Sequence, residues 1–144
     1  PHLDRAAADR SGTIKVWETA TGRVEQTLTG HRGAVHAVAF LRSGKLLASV
    51  GADGIVRVWD VAEGKETWRQ TAHQGEALAL AVGPDDAIAT CGSDGRIKLF
   101  TAQGRERGAS PAMGEWLYSV AFGADDKTVF AGDWQGRTHR LAVK

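Results

Sequence analysis

Four glycines, Gly12, Gly54, Gly95 and Gly136, stand 42, 41 and 41 residues apart, and each heads a copy of one short pattern. The copies read "SGTIKVW" at 11–17, "DGIVRVWD" at 53–60, "DGRIKLF" at 94–100 and "QGRTHRL" at 135–141. A fixed period of this size means that one supersecondary unit is repeated and that the core is made by stacking copies. Each copy has a turn, then apolar and polar residues in alternation: Ile14 and Val16 around Lys15, Val56 and Val58 around Arg57, Ile97 and Leu99 around Lys98. That is the two-residue period of a β-strand.

Other short runs of the same kind surround each anchor. Between Gly30 and Thr71 they predict strands at 34–40, 45–50, 55–59 and 66–71, joined by "SG", "DG" and "EG" turns. The next copy predicts 76–82, 87–91, 96–100 and 104–108, the last weakened by Gly108 and Pro111. A third predicts 116–122, 127–131 and 137–143, and the opening piece supplies 13–17 and 23–28, with "RAAA" as a preceding strand. Four-stranded antiparallel meanders repeated at about 40 residues are the unit of a β-propeller, so the expected fold class is all-β: blades in an incomplete ring. The expected divisions are a partial blade at 1–29, blades at 30–71 and 72–112, and a terminal blade at 113–144 lacking its outer strand.

"TGH" at 29–31, followed by "VHAVAF", "LLASVGADG" and "VRVWD" ending at 60, resembles the WD-repeat family, with its GH and WD dipeptides. The resemblance covers nearly the whole chain and implies a structural tetrad of His, Ser or Thr, Asp and Trp in each blade. In the first full copy the matching residues are His31, Ser49, Asp53 and Trp59. The second keeps His73, Thr90 and Asp94, with Phe100 in place of the Trp. In the third the aligned positions are Met113, Ala131, Gln135 and Leu141, so the tetrad is gone, and the opening piece keeps only Trp17.

A His, a Ser and an Asp together also resemble hydrolase machinery. The same residue types recur 41 or 42 positions later, however, and no strand-turn-helix elbow presents a nucleophile. The structural reading is therefore taken, and no catalytic residue is expected. Asp85, Asp86, Asp125 and Asp126 fall where the pattern has a hairpin turn and read as turn formers rather than cation ligands. His2, His36 and His139 have no metal-site spacing, and Cys91 reads as a small core residue. The row Lys15, Arg57 and Lys98 reads as long stems packed between blades with heads in water.

A formal charge of +1 with both signs interspersed gives no footprint for nucleic acid or a membrane. A single cysteine excludes an intrachain disulfide, and no run approaches the roughly 18 apolar residues of a membrane span. The chain reads as soluble, its compartment open with the cytoplasm slightly favoured, and no cofactor is expected. The expected function is a rigid, non-catalytic scaffold for a protein or peptide. One alternative is a structural propeller domain of a larger enzyme or redox protein with a ligand in the central channel. That requires convergent ligands, whereas the inner strands offer Val35, Val38, Leu78, Leu80, Leu117 and Val120.

The meander puts the connections between strands two and three, and between four and one, on one face. Candidates there are Arg32, Gly33, Ala52, Glu76, Ser93, Glu115, Trp116 and Trp134, with Tyr118 nearby. Trp116 and Trp134 stand where other copies have small or polar residues, and are read either as an aromatic anchor pair or as filling for the lost tetrad. The chain enters the pattern partway through a copy without an initiator methionine, and reads as a C-terminal piece of a longer propeller. Its open edges are expected to pair with the remainder or with a second chain. A seven-bladed homodimer is disfavoured because strand 23–28 arrives with 13–17, which competes with 137–143. Thr138 and Arg140 replace the apolar pairs Val56 and Val58 or Ile97 and Leu99, as expected where that side meets something other than a standard blade.

Overall fold

The repeat folds as four antiparallel sheets, each a meander whose neighbours in sequence are neighbours in space. The computed structural model describes residues 3–143, and His2 lies outside the described residues. The first sheet holds β1 (Leu3–Ala8), β2 (Ile14–Glu18) and β3 (Val24–Leu28). The second holds β4 (Val35–Phe40), β5 (Leu46–Gly51), β6 (Ile55–Asp60) and β7 (Lys65–Thr71), and the third β8 (Ala77–Val82), β9 (Ile88–Gly92), β10 (Ile97–Phe100) and β11 (Glu106–Ala109). The last holds β12 (Leu117–Phe122), β13 (Thr128–Asp133) and β14 (Thr138–Ala142). One 3-10 turn, Pro84–Asp86, joins β8 to β9. The strand expected at 104–108 begins two residues later and ends at Ala109, since Gly104 turns the chain with φ +88° beneath the Trp68 ring.

In the second and third sheets the middle strands are buried on both faces, and the period of two divides their side chains between two cores. On β5 and β6, Leu47 and Trp59 pack toward the first sheet with Ile14, Val16 and Leu28. On the same two strands Ala48, Val50, Val56 and Val58 pack toward the third sheet with Ile88, Ala77 and Phe100. The third sheet repeats the division: Ile88 and Phe100 face backward, and Ala89, Cys91, Ile97 and Leu99 face forward onto Leu117, Val129 and Ala131. Two-sided burial explains why these strands read as nearly continuous apolar runs while the outer strand β7 is largely exposed. Trp68 is the link from β7 to the next sheet, its Nε1–H donating to the Ala102 carbonyl at 2.9 Å.

Two faces are left uncovered by the described residues. In the first sheet β1 pairs with β2 as β5 pairs with β6, so β1 holds the second position of its meander and no described strand lies inside it. A cavity of about 630 Å³ follows that edge, lined in part by Arg5, Ala6, Trp17, Val38, Phe40 and Leu47. At the other end β14 is an edge strand whose Thr138 and Arg140 are exposed, with Phe130 of β13 beside them at 38% exposure.

Polar side chains tie the second sheet together across its upper edge. Trp59 Nε1–H donates to Ser49 Oγ at 2.9 Å, Ser49 Oγ lies 2.7 Å from His31 Nε2, and His31 Nδ1 lies 3.0 Å from Asp53 Oδ2. One assignment satisfies every group: Nδ1–H donates to the carboxylate, Nε2 accepts the seryl hydroxyl, and that oxygen accepts the indole N–H. Asp53 also accepts the backbone N–H groups of Arg32 and Ile55, joining the loop before β4 to the β5–β6 turn. The third sheet repeats this with His73, Thr90 at 2.8 Å and Asp94 at 2.9 Å. Phe100 takes the tryptophan's place and its ring packs against Trp68 instead. Burial lowers the pKa of both histidines more than their carboxylates raise it, which keeps the imidazoles neutral. Burial pushes Asp53 upward, but the Arg32 N–H and His31 outweigh it and hold the carboxyl below its ordinary value.

Three outcomes follow for stability. Asp53→Ala leaves His31 Nδ1–H without an acceptor in a buried site and is expected to cost about 1–3 kcal/mol, against under about 0.5 kcal/mol for the exposed Glu63→Ala. Equal melting temperatures would contradict the role given to the network. Gly51→Ala drives a Cβ into the Ala34 carbonyl and is expected to cost about 1–3 kcal/mol, whereas Gly108→Ala, with open space around it, is neutral or slightly stabilising; urea midpoints decide. Because both histidines have depressed pKa values, the unfolded chain takes up protons near 6.5 that the folded chain refuses. Their contribution is complete above that pH and is lost as the pH falls below it. The melting temperature therefore declines from about pH 7 to about pH 5, less steeply in His73→Gln.

Candidate functional site

Connections leave the sheets on two opposite faces. The upper face carries the loops into β4, β8 and β12 and the turns after β1, β5, β9 and β13; the lower face carries the other hairpins. The lower face holds the four acidic turn residues, and two of their carboxylates accept backbone N–H groups, Asp125 within its own hairpin and Asp86 from the β4–β5 hairpin of the neighbouring sheet. Asp86 accepts the Arg42 backbone N–H at 2.6 Å, and Asp125 accepts those of Lys127 and Thr128. Asp85, Asp86 and Asp126 have φ of 53°, 56° and 55°, a left-handed geometry that short polar side chains tolerate. Among the described residues no group of three or more His, Cys, Asp or Glu side chains converges on a metal-sized site.

The groups that resemble catalytic machinery are closed to substrate. Ser49 is fully buried and its hydroxyl is held between His31 and Trp59. Cys91 is buried, its thiol pushed up to about 12 by desolvation, and its Sγ–H donates to the Leu117 carbonyl. The apolar inner-strand residues expected beside a channel mostly lie elsewhere: Val35, Val38, Leu80, Leu117 and Val120 pack between sheets. The cationic row also departs from expectation at Arg57. Its head is 4% exposed rather than in water, 2.6 Å from Glu66 and 3.6 Å from Asp53, with Nε lacking a hydrogen-bond partner. Lys98 stands 3.7 Å from Glu106, and Lys15 is exposed.

Each innermost strand breaks its ladder at the same place. The pairing shifts between Val35 and Ala37, between Ala77 and Ala79, and between Leu117 and Ser119, leaving His36, Leu78 and Tyr118 outside the register. Such a bulge re-aims one side chain and flips the parity of the strand. Its trace in the sequence is the apolar spacing Val35, Val38, Phe40, repeated as Ala77, Leu80, Val82 and Leu117, Val120, Phe122. A reading by strict alternation passes over it. His36 Nε2 lies 3.2 Å from Glu76 Oε1, so the bulge spans the second and third sheets, and the Glu76 N–H donates to Ser93 Oγ at 2.9 Å. Arg32 is exposed in the neighbouring loop.

The last sheet differs in bulk. Where the second and third sheets have the facing pairs Gly33 with Ala52 and Gly75 with Ser93, it has Glu115 with Trp134. Trp134 Nε1–H donates to Glu115 Oε2 at 2.6 Å, and the Trp116 and Tyr118 rings lie 6.1 Å apart at 39°. Trp134, Tyr118 and Trp116 are 65%, 49% and 47% exposed, so the indoles stand out from the face rather than filling the space of a lost tetrad.

A polar cluster that the sequence reading missed braces this turn. Asp133, at the position of Gly51 and Gly92, is buried. Its Oδ1 accepts the N–H groups of Gln135 and Arg137, and its Oδ2 meets Arg137 Nε at 2.8 Å and His139 Nε2 at 3.0 Å. Burial alone raises the carboxyl's pKa, but His139 and the Arg137 backbone and guanidinium hold it well below the usual range. Asp9 stands at the same position in the first sheet and accepts the backbone N–H groups of Ser11 and Thr13. The sequence signal was an aspartate in the two outer copies where the inner ones have glycine.

Residues 22–60 and 64–101 match the model of the WD domain, G-beta repeat. Each matched repeat runs from the outer strand of one sheet through three strands of the next, so the covalent repeat straddles two sheets. A Lissencephaly-1 homolog from Dictyostelium discoideum is 52% identical over 46 residues, 32% of this chain and 11% of its own. A Periodic tryptophan protein 2 homolog from Schizosaccharomyces pombe is 32% identical over 99 residues, 68% of this chain and 12% of its own. The chain thus spans only a small part of the length of these relatives. The crystal structure of the computationally designed Ika4 protein superposes with a TM-score of 0.87 at 26% identity, covering 96% of this chain and 84% of that one. No helix among the described residues is long and apolar enough to cross a membrane. With two matched repeats, one carrying the full tetrad and the other three of its four members, and four meander sheets packed face to face, the chain belongs to the WD-repeat family, and its sheets are β-propeller blades in an incomplete ring.

Proposed function

We propose that this chain is a non-catalytic scaffold whose upper face, centred on the last blade, binds a protein or peptide. WD repeats in general mediate protein interactions. The observation that carries the reading here is the exposure of Trp116, Tyr118 and Trp134 together, on one face, in a blade otherwise held by strands and by the Asp133 cluster. Large aromatic side chains dominate interface hot spots, with about 2 kcal/mol or more lost on truncation. A platform already rigid before binding gives up little conformational entropy when a partner lands.

Arg32, Glu76 and Ser93 extend the surface across the neighbouring blades. Glu76 and Ser93 brace their loops through His36 and the Glu76 N–H, so their part is to shape the rim as well as to meet a ligand. The free edges of β1 and β14 are a separate kind of surface. Unpaired backbone groups there accept strands from the remainder of a propeller or from a second chain.

The test uses peptides selected from a displayed library on the immobilised chain. Trp134→Ala and Trp116→Ala are expected to shift stability by less than about 1 kcal/mol while abolishing capture of the selected peptides. Loss of stability with capture intact in the folded fraction would assign both indoles to the core and remove this site.

A further inference from the structure

The upper-face carboxylates of the second to last blades are engaged, with one exception. Asp53 meets His31, Arg57 and two backbone N–H groups; Asp94 meets His73 and two backbone N–H groups. Glu76 meets His36, and Asp133 meets Arg137 and His139. Glu115 has one donor among the described residues, the uncharged indole N–H of Trp134. Among the described residues it forms no ion pair, and it stands beside exposed aromatic side chains: Trp134, which it holds, and Trp116, its neighbour in the chain, whose ring lies against Tyr118.

That combination selects one chemistry. The face of an indole or phenol ring carries negative potential, and a cation above it is attracted most strongly by tryptophan. A carboxylate beside the rings adds an ion pair in the same direction. An apolar side chain pressed against the cluster would strip water from Glu115 and return no hydrogen bond, and an anionic one would meet like charge. A guanidinium satisfies both demands, because its plane stacks on a ring while its N–H fork reaches a carboxylate.

We propose that Glu115, Trp116, Tyr118 and Trp134 form a receptor for an arginine side chain of a peptide partner, an inference that rests on the last blade's upper face being the partner surface. Glu115 sets the charge preference and orients Trp134 through the 2.6 Å hydrogen bond. Tyr118 is carried out of the ladder by the bulge of β12, beside Trp116. The second and third blades have Gly33 with Ala52 and Gly75 with Ser93 at the equivalent places, so the receptor is confined to one blade.

A tri-arginine peptide and its tri-citrulline counterpart, which keeps the shape and removes the charge, are titrated while the tryptophan indole N–H signals are followed by NMR. The arginine peptide is expected to move the Trp134 and Trp116 signals saturably, and citrulline to bind at least roughly fivefold more weakly. Added salt should narrow that difference. Glu115→Gln keeps an acceptor for the indole and removes the charge, so it should bring arginine down to the citrulline level with an unchanged melting temperature. Equal binding of the two peptides, or an unaffected Glu115→Gln variant, overturns the proposal. Library-selected peptides that need Trp134 but lack basic residues would overturn it and leave the partner surface standing. Selected peptides indifferent to Trp134 would remove both.

Discussion

Two-sided burial is the constraint on which the rest of this structure depends. A meander of four short strands cannot shield both of its faces, and the alternation of β5 and β6 commits Leu47 and Trp59 to one neighbour and Ala48, Val50, Val56 and Val58 to the other. Each blade is therefore stable only as a member of a stack. The covalent repeat straddles two sheets, so the chain joins each blade to the next through the segment that leads from an outer strand to an inner one. The outward face of the last blade, which no described residue covers, follows the same logic. There Thr138 and Arg140 stand where the inner blades have apolar residues, and exposed polar side chains on an unpaired sheet discourage indiscriminate pairing.

Apolar packing is non-directional and leaves the loops undetermined, so the hydrogen-bond networks do that part. In the second and third blades a neutral histidine bridges an Asp in a turn to a hydroxyl in a buried strand, closing the upper edge with every donor matched to an acceptor. In the last blade the same task falls to a different chemistry: Asp133, an arginine and a histidine. Releasing that blade from the tetrad frees its turn for bulk. Glu115 and Trp134 occupy places where a tight hairpin tolerates only small residues in the other blades. A braced turn carrying exposed aromatic groups has the physical character of a recognition surface.

Much of this was legible in the residues. The glycine period and the strand alternation predict the blades, and the resemblance to the WD-repeat family implies that His31, Ser49, Asp53 and Trp59 form a set. These are local patterns copied at a fixed distance, and repetition makes a weak signal strong. The bulges at His36, Leu78 and Tyr118 were passed over because one extra residue breaks alternation without breaking apolar content. Arg57 was placed with its head in water because its partners, Glu66 and Asp53, lie on other segments, and only the packed sheet brings them within reach.

What the sequence determined by itself is the unit: a meander of short strands at a fixed period, the alternation of its buried middle strands, and the stacking of such units. That information is local, since period and turn chemistry act over a few residues. What only the tertiary structure decided is exposure and partnership. Trp116 and Trp134 read equally well as core or as surface until the blade around them showed 47% and 65% of each in the open. Asp133 reads as an ordinary turn residue until Arg137 and His139 are seen converging on it. Whether an indole is buried depends on what the rest of the chain places beside it, and that depends on packing between segments far apart in sequence.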